Sequence, residues 1–222
     1  MTVPAMIAAH VLVMAKAPRP GRVKTRLCPP LTPDQAAAVA TSALADTLTA
    51  VAACGAQRRI VALDGAPGPW LPPGFEVIVQ RGDGFEERLA NAWSDAGGPG
   101  VQIGMDTPQV TAAELDELLA LLTAGRGRRR AVLAPAQDGG WWAIGLPGDD
   151  PRAVFGGVPM STPWTGAAQE RRLRELGYDV VAGPVRRDID TAADLAAVAA
   201  AAPSTRTGRL AAALLLALDV AS

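Results

Sequence analysis

The sequence is poor in the residues that build soft metal sites and disulfide frameworks. It has two cysteines, Cys28 and Cys54, and a single histidine, His10, in 222 residues. The cysteines lie far apart and lack the paired spacing of a zinc site, so we expect neither a structural zinc nor a disulfide. We expect His10 to have a structural role or none. Because the chain also lacks the basic start of a secretory signal, we expect a cytoplasmic protein.

A charge excess and long apolar runs are also missing. The 21 basic and 22 acidic residues leave a net charge of −1, which gives no global attraction to nucleic acid or to an anionic membrane. The arginine-rich run at 126–130 has no interleaved aromatic residues, so we expect an exposed turn there rather than a nucleic-acid site. The last apolar stretch, at 210–218, is too short to span a bilayer. We therefore expect no nucleic-acid partner and no transmembrane segment.

What the chain does contain is an alternation of short apolar segments with alanine-rich ones. Segments such as 11–15 and 141–146 have the length and composition of buried strands. Helices are predicted between the strands, and capping boxes at Thr32 and Thr111 mark two helix starts. The pattern predicts an α/β fold with a mixed, mostly parallel sheet and helices on both faces. Since no stretch resembles a linker, we expect a single domain over residues 1–222.

The loop after the first predicted strand gathers basic side chains around a glycine. Ligands of parallel sheets bind at the carboxyl ends of strands, glycine lets backbone N–H groups approach a ligand, and nearby cations add to an anion site. We interpret the loop as a cradle for nucleotide phosphates; the alternative is a solvated basic loop. The spacing of a Walker loop is absent. The candidate nucleotide-binding residues are Lys16, Pro20, Gly21, Arg22, Lys24 and Arg26, with Arg19 among them in the sequence.

Three aspartates are candidate metal ligands. Asp106 directly follows an apolar strand, and a carboxylate there, beside a phosphate cradle, suits Mg²⁺ or Mn²⁺; the alternative is a turn or a cap. Asp188 and Asp190 are two residues apart in an extended segment, so we expect their side chains on the same side. Two neighbouring carboxylates need a cation between them, either the metal or one of the arginines Arg186 and Arg187.

Asp138 belongs to an Asp-Gly-Gly turn between two predicted strands. Its carboxylate is a candidate base for an acceptor hydroxyl, although a tight structural turn explains the same residues equally well. Trp141 and Trp142 follow on opposite faces of the next strand. One of them is in a position to line an acceptor pocket, and core packing of both is the simpler interpretation.

Four segments, taken in order, resemble one family. This family comprises bacterial GT-A-fold proteins that are similar to nucleotide-diphospho-sugar transferases and are usually called glycosyltransferases. Some relatives occur in arsenosugar pathways, and the family is also similar to the phospholactate guanylyltransferases. The stretch Pro-Gly-Arg-Val-Lys-Thr-Arg-Leu in the first segment is quite specific. The segments are 14–27, 103–109, 135–146 and 188–195.

The resemblance implies a GT-A fold, a nucleotide bound over the first loop, and a divalent metal, Mg²⁺ or Mn²⁺. It implies that Lys24 and Arg26 match the basic residues of the family's phosphate loop. It further implies that Asp106 matches the metal aspartate. A second metal carboxylate of nucleotidyltransferase relatives is matched by Asp188 or Asp190.

Together these residues predict a transferase, and we expect glycosyl transfer from a nucleotide-diphospho-sugar to a small-molecule acceptor. In that reaction a metal held by Asp106, together with Lys24 and Arg26, neutralises the leaving diphosphate while Asp138 acts as the base. One alternative is nucleotidyl transfer from a nucleoside triphosphate with release of pyrophosphate, which a cation-rich loop favours. Another is a non-catalytic nucleotide-binding protein, because the acceptor side departs from the family pattern, as at Met160.

Overall fold

The computed structural model describes residues 7–124 and 129–221, and in these residues strands alternate with helices as the sequence predicts. The strands are β1 (Ile7–Lys16), β2 (Ala56–Asp64), β3 (Glu76–Val79), β4 (Gly100–Gly104), β5 (Arg130–Pro135), β6 (Trp141–Leu146) and β7 (Asp179–Ala182). The α-helices are α1 (Pro33–Ala53), α2 (Phe85–Ala96), α3 (Ala112–Thr123), α4 (Pro151–Phe155), α5 (Thr165–Glu175), α6 (Ala192–Ala201) and α7 (Arg206–Ala221). A 3-10 turn at Thr25–Leu27 ends the first loop.

The strands form one mixed sheet in the order β3-β2-β1-β4-β6-β5-β7. Only β6 runs against its neighbours: it is antiparallel to both β4 and β5, whereas the other pairs are parallel. The carboxyl ends of β1, β4, β5 and β7 therefore lie at one edge of the sheet. The predicted mixed, mostly parallel sheet is confirmed.

The two predicted helix starts at Thr32 and Thr111 are confirmed by their caps, and Thr191 caps α6 in the same way. Thr32, Thr111 and Thr191 each accept a hydrogen bond from the backbone N–H three residues on, and the side chain of that third residue accepts one in return. The short helix α4 was not predicted. Its five residues are too few to show a helical period, and it begins where Asp150, in a left-handed conformation, accepts a hydrogen bond from the Ala153 N–H.

The first strand begins earlier than the predicted segment 11–15, so His10 lies inside β1. The strand reaches back to Ile7, where the Ile7 N–H donates to the carbonyl of Gly55. The histidine is buried, with 1% of its surface exposed. His10 is therefore part of the buried core.

Alternation along β1 divides the core between the two faces of the sheet. Val11 and Val13 pack with leucines of α1 and α3. Leu12 and Met14 face the opposite way and pack with α2 and α4. Helices therefore cover both faces, as predicted. A third cluster lies outside the sheet and joins the end of the first loop, the outer side of α1, and helices α6 and α7.

Helix α1 is the one described helix that is long and apolar enough to cross a membrane by length and composition alone. In its most apolar window 56% is buried inside the protein, as in the core helix of a soluble fold. Such a helix is weak evidence for a membrane span.

Of the arginine-rich run at 126–130, residues 126–128 lie outside the described part of the chain. Arg129 and Arg130 are ion-paired with Asp149 and Asp179.

Candidate active site

The sheet brings the candidate residues to one edge. The basic loop follows β1, Asp106 follows β4, Asp138 lies in the turn from β5 to β6, and the last pair follows β7. The segment of Asp188 and Asp190 runs along the end of β4, where the Ile189 N–H donates to the carbonyl of Asp106 at 3.0 Å.

The third core cluster joins the first loop to this last segment. Leu27 and Ile189 are fully buried members of it, three residues after Lys24 and one residue before Asp190. Burying these two side chains together therefore brings Lys24 and Asp190, which are far apart in the sequence, into one site.

Lys24 is the centre of the site. Its ammonium lies 2.7 Å from Asp106 Oδ2 and 3.9 Å from Asp190 Oδ1, and it donates to the carbonyl oxygen of Ile189. Only 9% of the side chain is exposed. An ammonium has three N–H donors, and three oxygens surround this one. The predicted phosphate lysine is therefore held by carboxylates in this structure.

Arg26 also contacts a carboxylate, since its guanidinium pairs with Asp190 Oδ2. The sequence left open whether Arg186 or Arg187 neutralises the aspartate pair, and the structure excludes that arrangement. Arg186 pairs with Glu114 of α3, and Arg187 pairs with Asp194, 2.8 Å away. The cations that reach Asp190 come instead from the first loop, which sequence proximity did not indicate.

Asp188 faces a different neighbour from Asp190. Burial raises the pKa of the Asp188 carboxyl, and the negative charges of Asp138 and Asp106 raise it further, whereas the Lys24 charge opposes them. The Asp188 carboxylate is therefore close enough to Asp138 and Asp106 to be repelled by both. On this side of the site the negative charges outweigh the positive charge of Lys24.

The first loop carries cations that the protein itself does not neutralise. Arg19 and Arg22 are exposed and make no ion pair within residues 7–124 and 129–221. Lys16 lies 3.8 Å from Asp64, and both side chains are about half exposed. Gly21 has φ +70°, with open space where a side chain would stand, and Pro20 beside it is exposed. The loop thus presents two exposed guanidiniums that have no ion-pair partner among the described residues.

The Asp138 turn is a tight turn, as one of the two interpretations had it. Asp138 Oδ1 accepts a hydrogen bond from the Gly140 N–H at 2.8 Å. The Gly166 N–H donates to the carbonyl of Gly139 at 2.9 Å, and a side chain at Gly139 would meet the Pro163 carbonyl. The start of α5 is therefore packed onto the turn.

The segment that packs on this turn contains an exposed aromatic residue. Trp164 precedes α5, and 73% of its surface is exposed. The sequence indicated only a helix start here, because exposure of an indole depends on the tertiary contacts around it. The signal that could have pointed to it is a tryptophan at a predicted helix boundary, where core packing is not needed.

The two adjacent tryptophans face opposite sides of the sheet, as predicted. Trp142 is buried, and its indole N–H donates to the carbonyl of Pro184 at 2.8 Å. Trp141 is partly buried, at a centroid distance of 6.4 Å from Phe155. Its indole nitrogen is buried and has no partner within the described residues. Core packing accounts for Trp142 fully and for Trp141 in part.

The oxygen donors of the site fit a hard divalent cation. No three His, Cys, Asp or Glu side chains in the described chain are close enough together to form a metal site by themselves. Asp106 and Asp190 nevertheless already share one cation, the ammonium of Lys24. Mg²⁺ is usually held by one or two carboxylates together with substrate phosphates. A carboxylate pair is therefore a sufficient protein contribution when a nucleotide supplies the other oxygens.

Known proteins share this fold, and one of them is 30% identical in sequence. A phosphoenolpyruvate guanylyltransferase from Streptosporangium roseum is 30% identical over 200 aligned residues, which cover 83% of this chain and 82% of that protein. A crystal structure from Desulfovibrio desulfuricans G20, named for the nucleotide-diphospho-sugar transferases, superposes with a TM-score of 0.79 at 25% identity, covering 91% of this chain and 93% of the other. The manganese complex of Rv0371C from Mycobacterium tuberculosis H37Rv shares the fold, with a TM-score of 0.51 at 20% identity over 87% of this chain and 98% of that one.

These relatives bear on both the fold and the general class of activity. The fold is that of nucleotide-diphospho-sugar transferases, as the sequence predicted. The first two relatives are named as transferases, so the predicted enzyme class is confirmed. The profile of one family, described as an uncharacterized protein conserved in bacteria (DUF2064), matches residues 35–162. This match spans more than half of the sequence, and the chain therefore belongs to the DUF2064 family.

Proposed function

We propose that this protein transfers a nucleotidyl group from a nucleoside triphosphate to a small acceptor and releases pyrophosphate. The observation that carries the proposal is a carboxylate cluster in contact with the basic loop through Lys24, on a loop that also exposes Arg19 and Arg22 without an ion-pair partner among the described residues. A triphosphate has more negative charge to place against such a loop than a sugar diphosphate has. The relative named as a guanylyltransferase supports the same class of reaction.

In this proposal each charged residue has a separate task. Arg19 and Arg22 bind the triphosphate, because they have no carboxylate partner to leave. Asp106 holds Mg²⁺ or Mn²⁺ together with Asp188 or Asp190, and the bound metal supplies charge neutralisation for the leaving pyrophosphate. Fixed positive groups around a transferring phosphoryl group stabilise the charge that develops in the transition state.

Asp138 is placed to act on the acceptor. Its turn lies at the same edge, and its charge is felt at Asp188. Where the acceptor is an alcohol, this carboxylate can accept the hydroxyl proton. Where the acceptor is a phosphate, which is already ionised, no base is needed, and Asp138 then orients the acceptor at most.

Glycosyl transfer from a nucleotide-diphospho-sugar is the second candidate, and it is the one that the sequence favoured. It is supported by the extensive superposition on the protein from Desulfovibrio desulfuricans G20. The two reactions place the same diphosphate over the same loop. They differ in whether the bond broken lies at the α-phosphorus or at the sugar carbon.

The test that separates the two reactions begins with binding. Thermal unfolding is followed with each of the four nucleoside triphosphates and with common nucleotide sugars, with and without Mg²⁺ or Mn²⁺. A ligand at 100 times its dissociation constant stabilises the folded state by about 2.7 kcal/mol, or roughly 5–10 °C for a chain of this size. The preferred nucleotide is then incubated with phosphorylated acids and alcohols, and pyrophosphate release is measured. A metal-dependent shift with a nucleotide sugar alone would favour glycosyl transfer instead. Nucleotide binding with no product from any acceptor would favour a non-catalytic protein.

Substitution of Asp106 tests the assigned metal ligand. We expect Asp106→Asn to lower metal-dependent turnover by at least about 100-fold, because the amide loses the charge that holds the cation. Asp34→Asn is the control, since Asp34 is an exposed carboxylate in the first turn of α1, outside the site. Unchanged turnover in Asp106→Asn would exclude this residue as the metal ligand.

A further inference from the structure

The ammonium of Lys24 lies among three oxygen atoms of the protein. Asp106 Oδ2, Asp190 Oδ1 and the carbonyl oxygen of Ile189 face it. Such a set of hard oxygens suits a small cation of any kind. The side chain is almost enclosed, so the ammonium takes part in few interactions with solvent.

The backbone of the first loop is shaped to deliver this side chain. Lys24 has φ +48°, a left-handed conformation that costs a non-glycine residue free energy. The conformation is fixed by the 3-10 turn that follows, in which the Leu27 N–H donates to the Lys24 carbonyl at 2.9 Å, and by the burial of Leu27. Lys24 therefore points inward, while Arg19 and Arg22 of the same loop remain exposed.

We propose that Lys24 acts as an internal cation that holds Asp106 and Asp190 in place of the divalent metal, and that it leaves them for the nucleotide phosphates when metal and nucleotide bind together. The inference rests on the proposed function for its metal and its nucleotide. The position between these oxygens holds one cation, because an ammonium and a divalent cation placed there together would repel each other. Lys24 must therefore compete with the metal when no nucleotide is present.

The competition has a consequence for the order of binding. If a metal alone displaced Lys24, the ammonium would lose its carboxylates in a nearly enclosed position, which is unfavourable. Phosphate oxygens on the adjoining loop give the displaced ammonium a new partner. Metal and nucleotide should therefore strengthen each other's binding by the same factor. Lys24 positions the carboxylates before the nucleotide binds and contacts the phosphates afterwards.

The first test removes the competing charge. The dissociation constant for Mn²⁺ is measured by electron paramagnetic resonance without nucleotide, in the natural protein and in Lys24→Met. We expect Lys24→Met to bind Mn²⁺ at least about 10-fold more tightly, since the unbranched side chain is shortened by only one atom and loses its charge. Arg26→Met is the matched control: it removes a positive charge from the same Asp190, but Arg26 is 72% exposed and does not occupy the oxygen-lined position. We expect its effect to stay below about 3-fold.

A second test needs no variant. The sequence has only two lysines, Lys16 and Lys24, and 47% of the Lys16 side chain is exposed. Acetylation of the two amines is followed by mass spectrometry, with Lys16 as the internal reference. We expect Lys24 to react at least about 10-fold more slowly than Lys16 in the protein alone, and saturating Mn²⁺ to bring the two rates closer together.

Two results would overturn the inference. One is Mn²⁺ binding to Lys24→Met that is no tighter than to the natural protein; the other is bound Mn²⁺ that leaves the acetylation of Lys24 unchanged. Neither measurement contains a nucleotide or an acceptor. A failure of nucleotidyl transfer would therefore leave these results standing, and failure of the metal competition would leave the transfer assay unaffected.

Discussion

Loss of stability in mild acid is expected from the single histidine. His10 is buried in β1, against the ring of Trp93 at 5.2 Å and directly over Gly100. Its Nε2 is buried without a partner in the described chain. Burial and, to a smaller extent, the charge of Arg58 lower the pKa of His10 from 6.5 to about 4, although a hydrogen bond to the backbone of Gly97 and the charge of Glu76 oppose the change.

The sign of the effect follows from which state binds the proton more tightly. Between the two pKa values the unfolded chain is protonated at His10 and the folded protein is not, so acid favours unfolding. The contribution of His10 to stability is complete above pH 6.5, declines as the pH falls, and is lost below about pH 4. Each tenfold change in proton affinity is worth about 1.4 kcal/mol, so the full loss is about 3 kcal/mol.

The assay compares the natural protein with His10→Leu by urea unfolding at several values between about pH 7.5 and pH 4.5. The leucine also changes the packing and hence the absolute stability, so only the difference between the two pH profiles is used. We expect the natural protein to lose about 2–3 kcal/mol more than His10→Leu over this interval. Because the chain has one histidine, its proton resonances also give the pKa directly by NMR. Parallel pH profiles, or a titration midpoint near 6.5, would refute the assignment of a buried neutral imidazole.

Two further predictions concern the helices around the site. Asp46 of α1 is buried and accepts hydrogen bonds from the N–H groups of Arg206 and Thr207 at the start of α7; Asp46→Ala should lower the free energy of unfolding by about 2 kcal/mol through loss of this cap, and urea unfolding that matches the natural protein would contradict it. Thr111→Ala should cost about 1 kcal/mol by removing the capping box of α3, whereas Thr111→Ser keeps the hydroxyl and should restore most of the stability. Equal losses in the alanine and serine variants would show that the hydroxyl is not the cause.

Much of the fold could be predicted because its signals are local. The segment 141–146 forms β6 with the predicted bounds, and the capping box at Thr32 marks the start of α1. Such signals depend on side chains a few positions apart. Helix α4 was not predicted, because its five residues are too few to show a helical period of apolar side chains.

The sequence predicted that several charged side chains would meet near the carboxyl ends of the strands, but it did not predict how they pair. The sequence placed Asp106, Asp190 and Lys24 at strand ends, and the parallel arrangement of the sheet then brings them together. It did not indicate that Lys24 contacts both aspartates, or that Arg186 and Arg187 are taken by other carboxylates. Ion pairs between residues so distant in sequence depend on how loops are packed.

The sequence by itself determined the order of strands and helices, the two faces of β1, and the side chains available at the carboxyl edge. Those features follow from apolar periodicity and from residue chemistry, which need no knowledge of the rest of the chain. Only the tertiary structure decided which cation meets which carboxylate. The reason is physical: burial of Leu27 and Ile189 in one cluster outside the sheet fixes the first loop against the last segment, and that contact encloses the ammonium of Lys24 between Asp106 and Asp190.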